Sequence, residues 1–343
     1  MLGLLYKIFK SLLMALLVII LVLTFFVSDF IDTPFGPKNA KSVVLIKKGA
    51  TPKKISRQLK EAELIRSDFP FYLAYSLFYY PAYLKAGEYE FHLPARPREI
   101  IHNLIKGNIL LHLITIPEGL TFQEIEALLT EKKYPYQGSL AEACQKIELM
   151  ADLDPKAKDL EGYLFPETYH FPRDVQAEEI VKTMVGQFRK TFVEKEIEAI
   201  QKSGLNLREI VILASLIEKE TAVPEEKPLV SAVFHNRLKL GMKLDCDPTI
   251  IYALKLEKRY DGNIRAKDKN LDSPYNTYLY RGLPPGPICN PGKDSLLAAL
   301  NPSRADYLYF VARNDGTHVF NHSFEEHLRA VRKFQLKSKP RLK

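Results

Sequence analysis

The sequence has only three cysteines, Cys144, Cys246 and Cys289, none in a CxxC pair and none with a histidine at metal-ligand spacing. Three thiols cannot all pair within one chain, so a disulfide framework has no basis in the cysteine count. Reduced, buried thiols are the simplest reading, and a Cys246–Cys289 bridge is the alternative in an oxidising compartment. HExxH, GxxxxGK[ST] and GxGxxG are all missing, so metal, nucleotide and dinucleotide chemistry have no motif to rest on, and neither cofactor nor metal is expected. A formal charge of +8 could suit nucleic acid, yet outside RKFQLKSKPRLK (332–343) the basic residues are scattered and no nucleic-acid motif accompanies them. A mild positive excess suits anionic phospholipid or an acidic polymer better.

Charge is also missing from SLLMALLVIILVLTFFVS, residues 11–28. Eighteen helical residues span about 27 Å, close to the hydrocarbon thickness of a bilayer. Lys7 and Lys10 precede the run and Asp29 and Asp32 come after it, which leaves the short N-terminus in the cytoplasm and the remainder outside. A cleaved signal peptide competes with this reading, but there is no small-x-small site after the run, and Phe25 and Phe26 stand where one would be needed. An uncleaved, single-pass anchor is therefore expected. The composition is otherwise ordinary for globular domains, with 46% hydrophobic and 26% charged residues in the whole chain.

After a linker (29–41) comes SVVLIKKGATPKKISRQLKEAELI, a β-branched run, a glycine turn at Gly49 and then Ile55 and Leu59 at helical spacing. LITIPEGLTFQEIEALLTEK repeats the arrangement around Gly119, Ile125 and Leu129, and AGEYEFHLPARPREIIHNLIKG supplies a third strand and helix between them. The stretch 42–135 resembles a LysM-type module, a small fold that binds N-acetylglucosamine-containing glycans, interrupted by a Tyr-rich helix from Phe69 to Tyr83. Tyr79, Tyr80 and Tyr83 could stack on sugars or fill a core; leucine, phenylalanine and alanine interleaved at helical spacing favour the core.

The centre of the chain is NLREIVILASLIEKETAVPEE, Asn206 to Glu226. Nearly every side chain from Ile210 to Ile217 is apolar, so no polar stripe is left for solvent and the segment reads as a helix buried on all sides. Asn206 and Glu209 form a capping box and Pro224 ends the element. Its last turn presents Glu218 and Glu220, which point roughly 200° apart, so the two cannot serve one bond as a pair. Either both are solvated charges, or one is a general acid that its apolar surroundings keep protonated near neutral pH.

Several other segments carry candidate residues. LEGYLFPETYHFP (160–172) interrupts a mainly helical stretch and offers Glu167. In LVSAVFHNRLKLGMKLDCDPTIIYAL, a helix, a turn at Gly241 and a second helix succeed one another, and Asp247 before Pro248 reads as an N-cap. Asn236 and Arg237 read equally as structural ties or ligands. In LDSPYNTYLYRGLPPGPICNPG, three turn clusters hold a rigid loop whose Tyr275, Asn276 and Tyr278 suit sugar recognition. DYLYFVARNDGTHVFN reads as a hairpin turning at Asn314–Gly316, with His318 and Asn321 near its end.

Taken together, ASLIEKETAV, VFHNRLKLGMKLDCDPTIIYAL, SPYNTY, GLPPGPICNPGKDSL and YLYFVARNDGTHVFN resemble, in order, the catalytic domain of the endolytic murein transglycosylase (YceG-like) family. The resemblance implies that Glu220, the second glutamate of EKET, is catalytic, with Thr221 beside it. It also implies that the 160–172 segment lies next to the active site and that the enzyme ends peptidoglycan strands alongside the synthesis machinery. On that basis the chain is an α+β protein. It comprises a cytoplasmic tail (1–10), a transmembrane helix (11–28), a linker (29–41), the LysM-like module (42–135), a mixed α/β catalytic domain (136–335) and a basic tail (336–343).

A lytic transglycosylase needs one acid, whereas hydrolysis needs two carboxylates. The implied site is Glu220 as catalyst with Thr221, Asp247, Tyr275, Asn276, Tyr278 and Glu167 as substrate contacts. A muramidase using Glu167 or Asp247 as its second carboxylate, and a glycan-binding scaffold without catalysis, are the competing readings.

Overall fold

In the computed structural model, residues 2–336 are described; the expected basic tail beyond Leu336 lies outside them. The uncharged run becomes part of α1 (Leu2–Asp32), exposed at nearly every position from Leu5 to Phe26. Then come β1 (Phe35–Ile46), α2 (Pro52–Glu61), α3 (Asp68–Phe78), β2 (Gly87–Ala95) and α4 (Pro97–Lys106). The contacts divide the chain into two compact units. The first runs to His112 and takes in His170–Arg173; the second holds Leu113–Tyr169 and the chain from Asp174 onward.

Within the first unit, β1 and β2 form an antiparallel pair, with Val44 opposite Tyr89 and Ile46 opposite Gly87. Alternation sends Val44, Ile46, Tyr89 and Phe91 to one face, where they pack with Ile55 and Leu59 of α2 and Ile100 and Leu104 of α4. The helix expected over 69–83 stops at Phe78. Beyond it the chain turns, so the tyrosines after the helix leave its register. Tyr79 is half-buried, but Tyr80 and Tyr83 are exposed rather than in the core.

The second unit begins within β3 (Leu111–Thr115) and continues through α5 (Phe122–Glu131), β4 (Tyr136–Gln137), α6 (Leu140–Ala143), the first two residues of β5 (Thr168–Pro172), β6 (Val175–Gln176), α7 (Ala177–Phe188) and α8 (Glu194–Lys202). After these come α9 (Leu207–Glu220), α10 (Lys227–Lys239), α11 (Asp247–Leu256), α12 (Lys293–Leu300), β7 (Tyr309–Ala312), β8 (His318–Asn321) and α13 (Phe324–Val331). The strand–turn–helix of 111–131, read from sequence with the first module, groups from Leu113 onward with this unit. Two backbone bonds explain why: Gly119 N–H donates to the Asn290 carbonyl and Asn290 N–H to the Leu120 carbonyl, each at 2.9 Å.

Helix α9 is enclosed as its composition requires. Every residue from Ile210 to Ile217 is buried, and α10, α11 and α12 pack around it. Its capping box is formed, with Asn206 Oδ1 accepting the Glu209 N–H at 3.0 Å and Glu209 Oε2 accepting the Asn206 N–H at 2.9 Å. The expected hairpin is present as β7 and β8, with Phe310 opposite Phe320. All three cysteines are free and buried, so the Cys246–Cys289 bridge is not formed.

Gly162, at φ +86°, lies where a Cβ would come within 2.6 Å of Pro287 Cγ and 2.7 Å of Val211 Cγ1. Neither the backbone conformation nor the space accepts a side chain. Gly162→Ala is expected to cost about 2–4 kcal/mol, seen as a lowered midpoint in denaturant unfolding of the purified protein.

Candidate active site

The two glutamates at the end of α9 meet different surroundings. Glu218 turns inward to a closed set of donors: the Ser295 hydroxyl at 2.5 Å, the Gly292 N–H at 3.1 Å and the Lys227 ammonium at 3.2 Å, all on Oε2. Lys227 is itself buried, with Glu118 as its second carboxylate at 3.8 Å. A Cβ on Gly292 would fall within 2.3 Å of the Glu118 carboxyl oxygens, so only glycine lets that carboxylate lie against the loop. Glu218 is a structural tie between α9, α10 and the start of α12.

Glu220 has no such saturation, and the residue as a whole is half-buried. Burial is the main cause that pushes its carboxyl up to about 7, and the Asp247 carboxylate pushes the same way. The Cys246 thiol, His318 and Arg237 pull it partly back. Cys246 is pushed well up by its own burial, with Glu220 as the next cause, so it stays a neutral thiol and can donate to Glu220. A carboxyl poised near neutrality can both give and take a proton at physiological pH.

Thr221 is buried immediately behind. Its hydroxyl donates to Glu226 Oε2 at 3.2 Å and accepts the Val223 N–H at 3.1 Å, fixing the turn that leaves Glu220 at the helix end. Glu226 is buried too, which alone would raise it. Hydrogen bonds from the His318 amide at 2.8 Å and the His318 ring at 2.7 Å outweigh that and hold it below the usual range. Thr221 thus holds the frame, and the sequence had given no sign of Glu226 in this role. Asn321 is buried at the end of the same strand.

Asp247 and Tyr278 come together beside Glu220. The Tyr278 hydroxyl donates to Asp247 Oδ1 at 2.6 Å, and the Lys269 ammonium lies 3.0 Å from Asp247 and 4.3 Å from the Tyr278 ring centroid. Cys246, not Asp247, is the N-cap of α11; Asp247 is the first helical residue, because the helical conformation begins one position before Pro248. Its side chain is half-exposed and free to meet a ligand.

Three sequence candidates lie elsewhere. Asn276 is fully buried: its amide donates to the carbonyls of Lys269 and Leu271 and its oxygen accepts the Tyr278 N–H, so it shapes the loop. Tyr275 packs against Tyr252, with ring centroids 4.8 Å apart. Glu167 is exposed; its carboxylate accepts the adjacent Thr168 N–H and its carbonyl the Ile116 N–H. Asn236 and Arg237 are ties. Asn236 donates to the carbonyls of Ala305 and Tyr307, and Arg237 donates to those of Leu308, Lys243 and Leu244.

Asn290, read in the sequence only as the start of a turn cluster, is the hub of several loops. Its side-chain oxygen accepts the N–H groups of Gly162 and Leu164, and its amide donates to the Leu120 carbonyl and Glu161, all at 2.9 Å. Only its place in a Pro- and Gly-rich turn, ICNPG, could have signalled it. Among the described residues no cluster of His, Cys, Asp and Glu could hold a metal. A larger cavity of about 700 Å³ lies at the opposite end of α9, lined by Asn206, Arg208 and Pro284, so cavity volume does not mark the chemistry.

One desolvated carboxyl with a polar cluster beside it is what the arrangement singles out. The model of the YceG-like family matches residues 44–333. The chain is 34% identical over 317 residues to the endolytic murein transglycosylase of Bacillus subtilis, covering 87% of this chain and 86% of that protein. It is 30% identical over 334 residues to the protein of the same name from Streptococcus pneumoniae strain D39, covering 87% and 59%. A crystal structure of a YceG-like protein from Listeria monocytogenes is 31% identical, with a TM-score of 0.57 over 85% of this chain and 100% of that one. The chain belongs to the YceG-like family.

The contrast between the two glutamates is testable. Removing Glu218 leaves Lys227 buried without its nearest partner, so Glu218→Ala is expected to cost about 3–5 kcal/mol. Glu220 behaves oppositely. Its folded pKa is raised, so its contribution to stability is complete below about pH 4.5 and lost as pH rises through about 7. A rise from 4.5 to about 7, at 1.36 kcal/mol per unit, corresponds to about 3 kcal/mol. Glu220→Gln escapes that loss: its melting temperature should exceed wild type at pH 8, and the gap should close towards pH 5.

Proposed function

We propose that this chain is a membrane-anchored, endolytic lytic transglycosylase of peptidoglycan, a lyase in which Glu220 acts first as acid and then as base. The observation that carries the reading is the Glu220 carboxyl, desolvated to a pKa of about 7 on a half-buried residue at the end of α9. The family and the names of its relatives support the class of reaction.

Protonated Glu220 donates to the oxygen joining N-acetylmuramic acid to N-acetylglucosamine, and the C1–O bond breaks with the electron pair leaving on that oxygen. The released sugar keeps the proton as its 4-hydroxyl. The muramic 6-hydroxyl oxygen then bonds to C1 and its proton returns to Glu220, leaving a 1,6-anhydromuramic end. No water is consumed, and the residue ends in its starting state. Burial supplies the raised pKa, and Thr221, through Glu226, fixes the backbone from which the carboxyl projects. The Tyr278–Asp247–Lys269 cluster offers donors and an acceptor for hydroxyl and acetamido groups. Asn276 contributes by holding the loop.

In this reading α1 is a single-pass anchor in the bacterial cytoplasmic membrane, with the N-terminus in the cytoplasm and the chain after α1 outside. The tether confines cutting to nascent strands near the membrane, where a cut ends elongation next to the synthases. The antiparallel β1–β2 pair with α2 and α3 between its strands supports the LysM-like reading of the first module as a glycan-binding element. A hydrolase using Asp247 as second carboxylate is the alternative, because Asp247 lies close enough to raise Glu220.

The deciding experiment is digestion of uncross-linked glycan strands by the purified full-length protein, wild type beside Glu220→Gln, with mass spectrometry of the products. Internal fragments with anhydromuramic ends from wild type alone are expected. The rate should fall about tenfold per pH unit above about 7, as the acid form of Glu220 is lost. Reducing ends would instead establish the hydrolase, and equal activity of the variant would remove Glu220 from the mechanism.

A further inference from the structure

Residues 69–84, FPFYLAYSLFYYPAYL, contain no charged side chain. They form most of α3 and the turn after it, and only one side is covered. Phe71, Ala74 and Tyr75 are buried, and the Tyr75 hydroxyl closes the turn by donating to the Ala82 carbonyl at 2.7 Å. On the other side Phe69 is 67% exposed, Leu77 54%, Tyr80 75% and Tyr83 84%, with Phe78 also bare. A helix that is apolar all round is ordinarily buried all round, and a soluble domain does not keep such a continuous stripe in water.

The position of the stripe says what covers it. Ala74 packs with Val27 and Ile31 of α1 in a small apolar cluster joined by Phe30 and Leu73. The uncharged run of α1 ends at Ser28, before Asp29 and Asp32, and the Asp32 carboxylate is paired at 2.9 Å with Arg98 of the same unit. If α1 spans a bilayer, Val27 to Ile31 lie where hydrocarbon gives way to headgroups. Helix α3 is therefore held at that depth. Phenylalanine and leucine with tyrosine, and no charge, is the composition of an interfacial belt. A cleft of about 230 Å³ at the same place has Phe26, Phe30, Phe35 and Pro70 in its walls together with Arg66 and Asp29, an apolar slot with charged groups beside it. A sugar site, by contrast, needs convergent amides or carboxylates, and residues 69–84 have none.

We propose that α3 and the Tyr80–Tyr83 turn form a second membrane-contacting element, seated in the outer-leaflet interface of the bilayer that α1 crosses; this rests on reading α1 as a transmembrane anchor. Two contacts, one spanning and one interfacial, fix the height and tilt of the first unit on the membrane, which a single flexible tether would leave free.

The chain has no tryptophan, so each single replacement is a unique fluorophore. Full-length Phe69→Trp, Tyr80→Trp, Tyr83→Trp and Leu17→Trp would be reconstituted separately into phosphatidylethanolamine–phosphatidylglycerol vesicles. Some vesicles would carry lipids brominated near the headgroup end of the acyl chain, others near its tip. The expected result is blue-shifted emission at 69, 80 and 83, lost more to shallow than to deep bromines, with Leu17→Trp lost more to deep ones. Three exposed sites keep misfolding of any one variant from deciding the outcome. Deep quenching at Leu17 with red, iodide-accessible, unquenched emission at the other three overturns the proposal and leaves the anchor standing. No quenching at Leu17 overturns both. Blue-shifted emission that lipid bromines do not touch, whether constant or appearing only with added glycan strands, also overturns it, assigning the face to a second copy of the chain or to sugar.

Discussion

A helix with no polar stripe must be enclosed, and that requirement organises the second unit. Ile210 to Ile217 of α9 are buried on every side by α10, α11 and α12. The helix ends where the enclosure ends, so the side chains of its last turn emerge at the rim of an apolar core. Desolvation of Glu220 is a consequence of that geometry rather than a separate device. Two residues earlier, Glu218 leaves the helix on another side and meets Lys227, Ser295 and Gly292, which neutralise and saturate it. One element thus yields a poised carboxyl and an inert one.

The loops at the end of α9 are held by buried polar groups rather than by regular sheet. Asn290 ties the 118–121, 160–164 and 288–292 segments with four side-chain hydrogen bonds, and Arg237 gathers the carbonyls at the end of α10 and before β7. Such bonds are directional and costly to leave unmade, so they fix loop shape where apolar contact would allow sliding. They explain how sheets of only two strands among the described residues still give a defined site. In the first unit the order is reversed: an apolar core is complete on one side of α3, and the other side is left bare beside the anchor's end.

What the sequence determined by itself is what depends on periodicity, caps and composition. The uncharged run of α1, the capping box at Asn206, the burial of α9, the 314–316 hairpin and the free thiols are all local or compositional, and all are found as expected. The opposition of Glu218 and Glu220 came from helix geometry alone. Only the tertiary structure decided partners, because hydrogen bonds between distant loops leave no periodic trace. It placed Asn276 and Thr221 inside the frame, brought Asp247 to Tyr278 across 31 positions of sequence, and set Glu226 behind Thr221 through His318, 92 positions away. It also decided which aromatics face water. Spacing allotted Tyr80 and Tyr83 to a core, but the helix stops at Phe78, and side chains past a helix end point where the turn sends them.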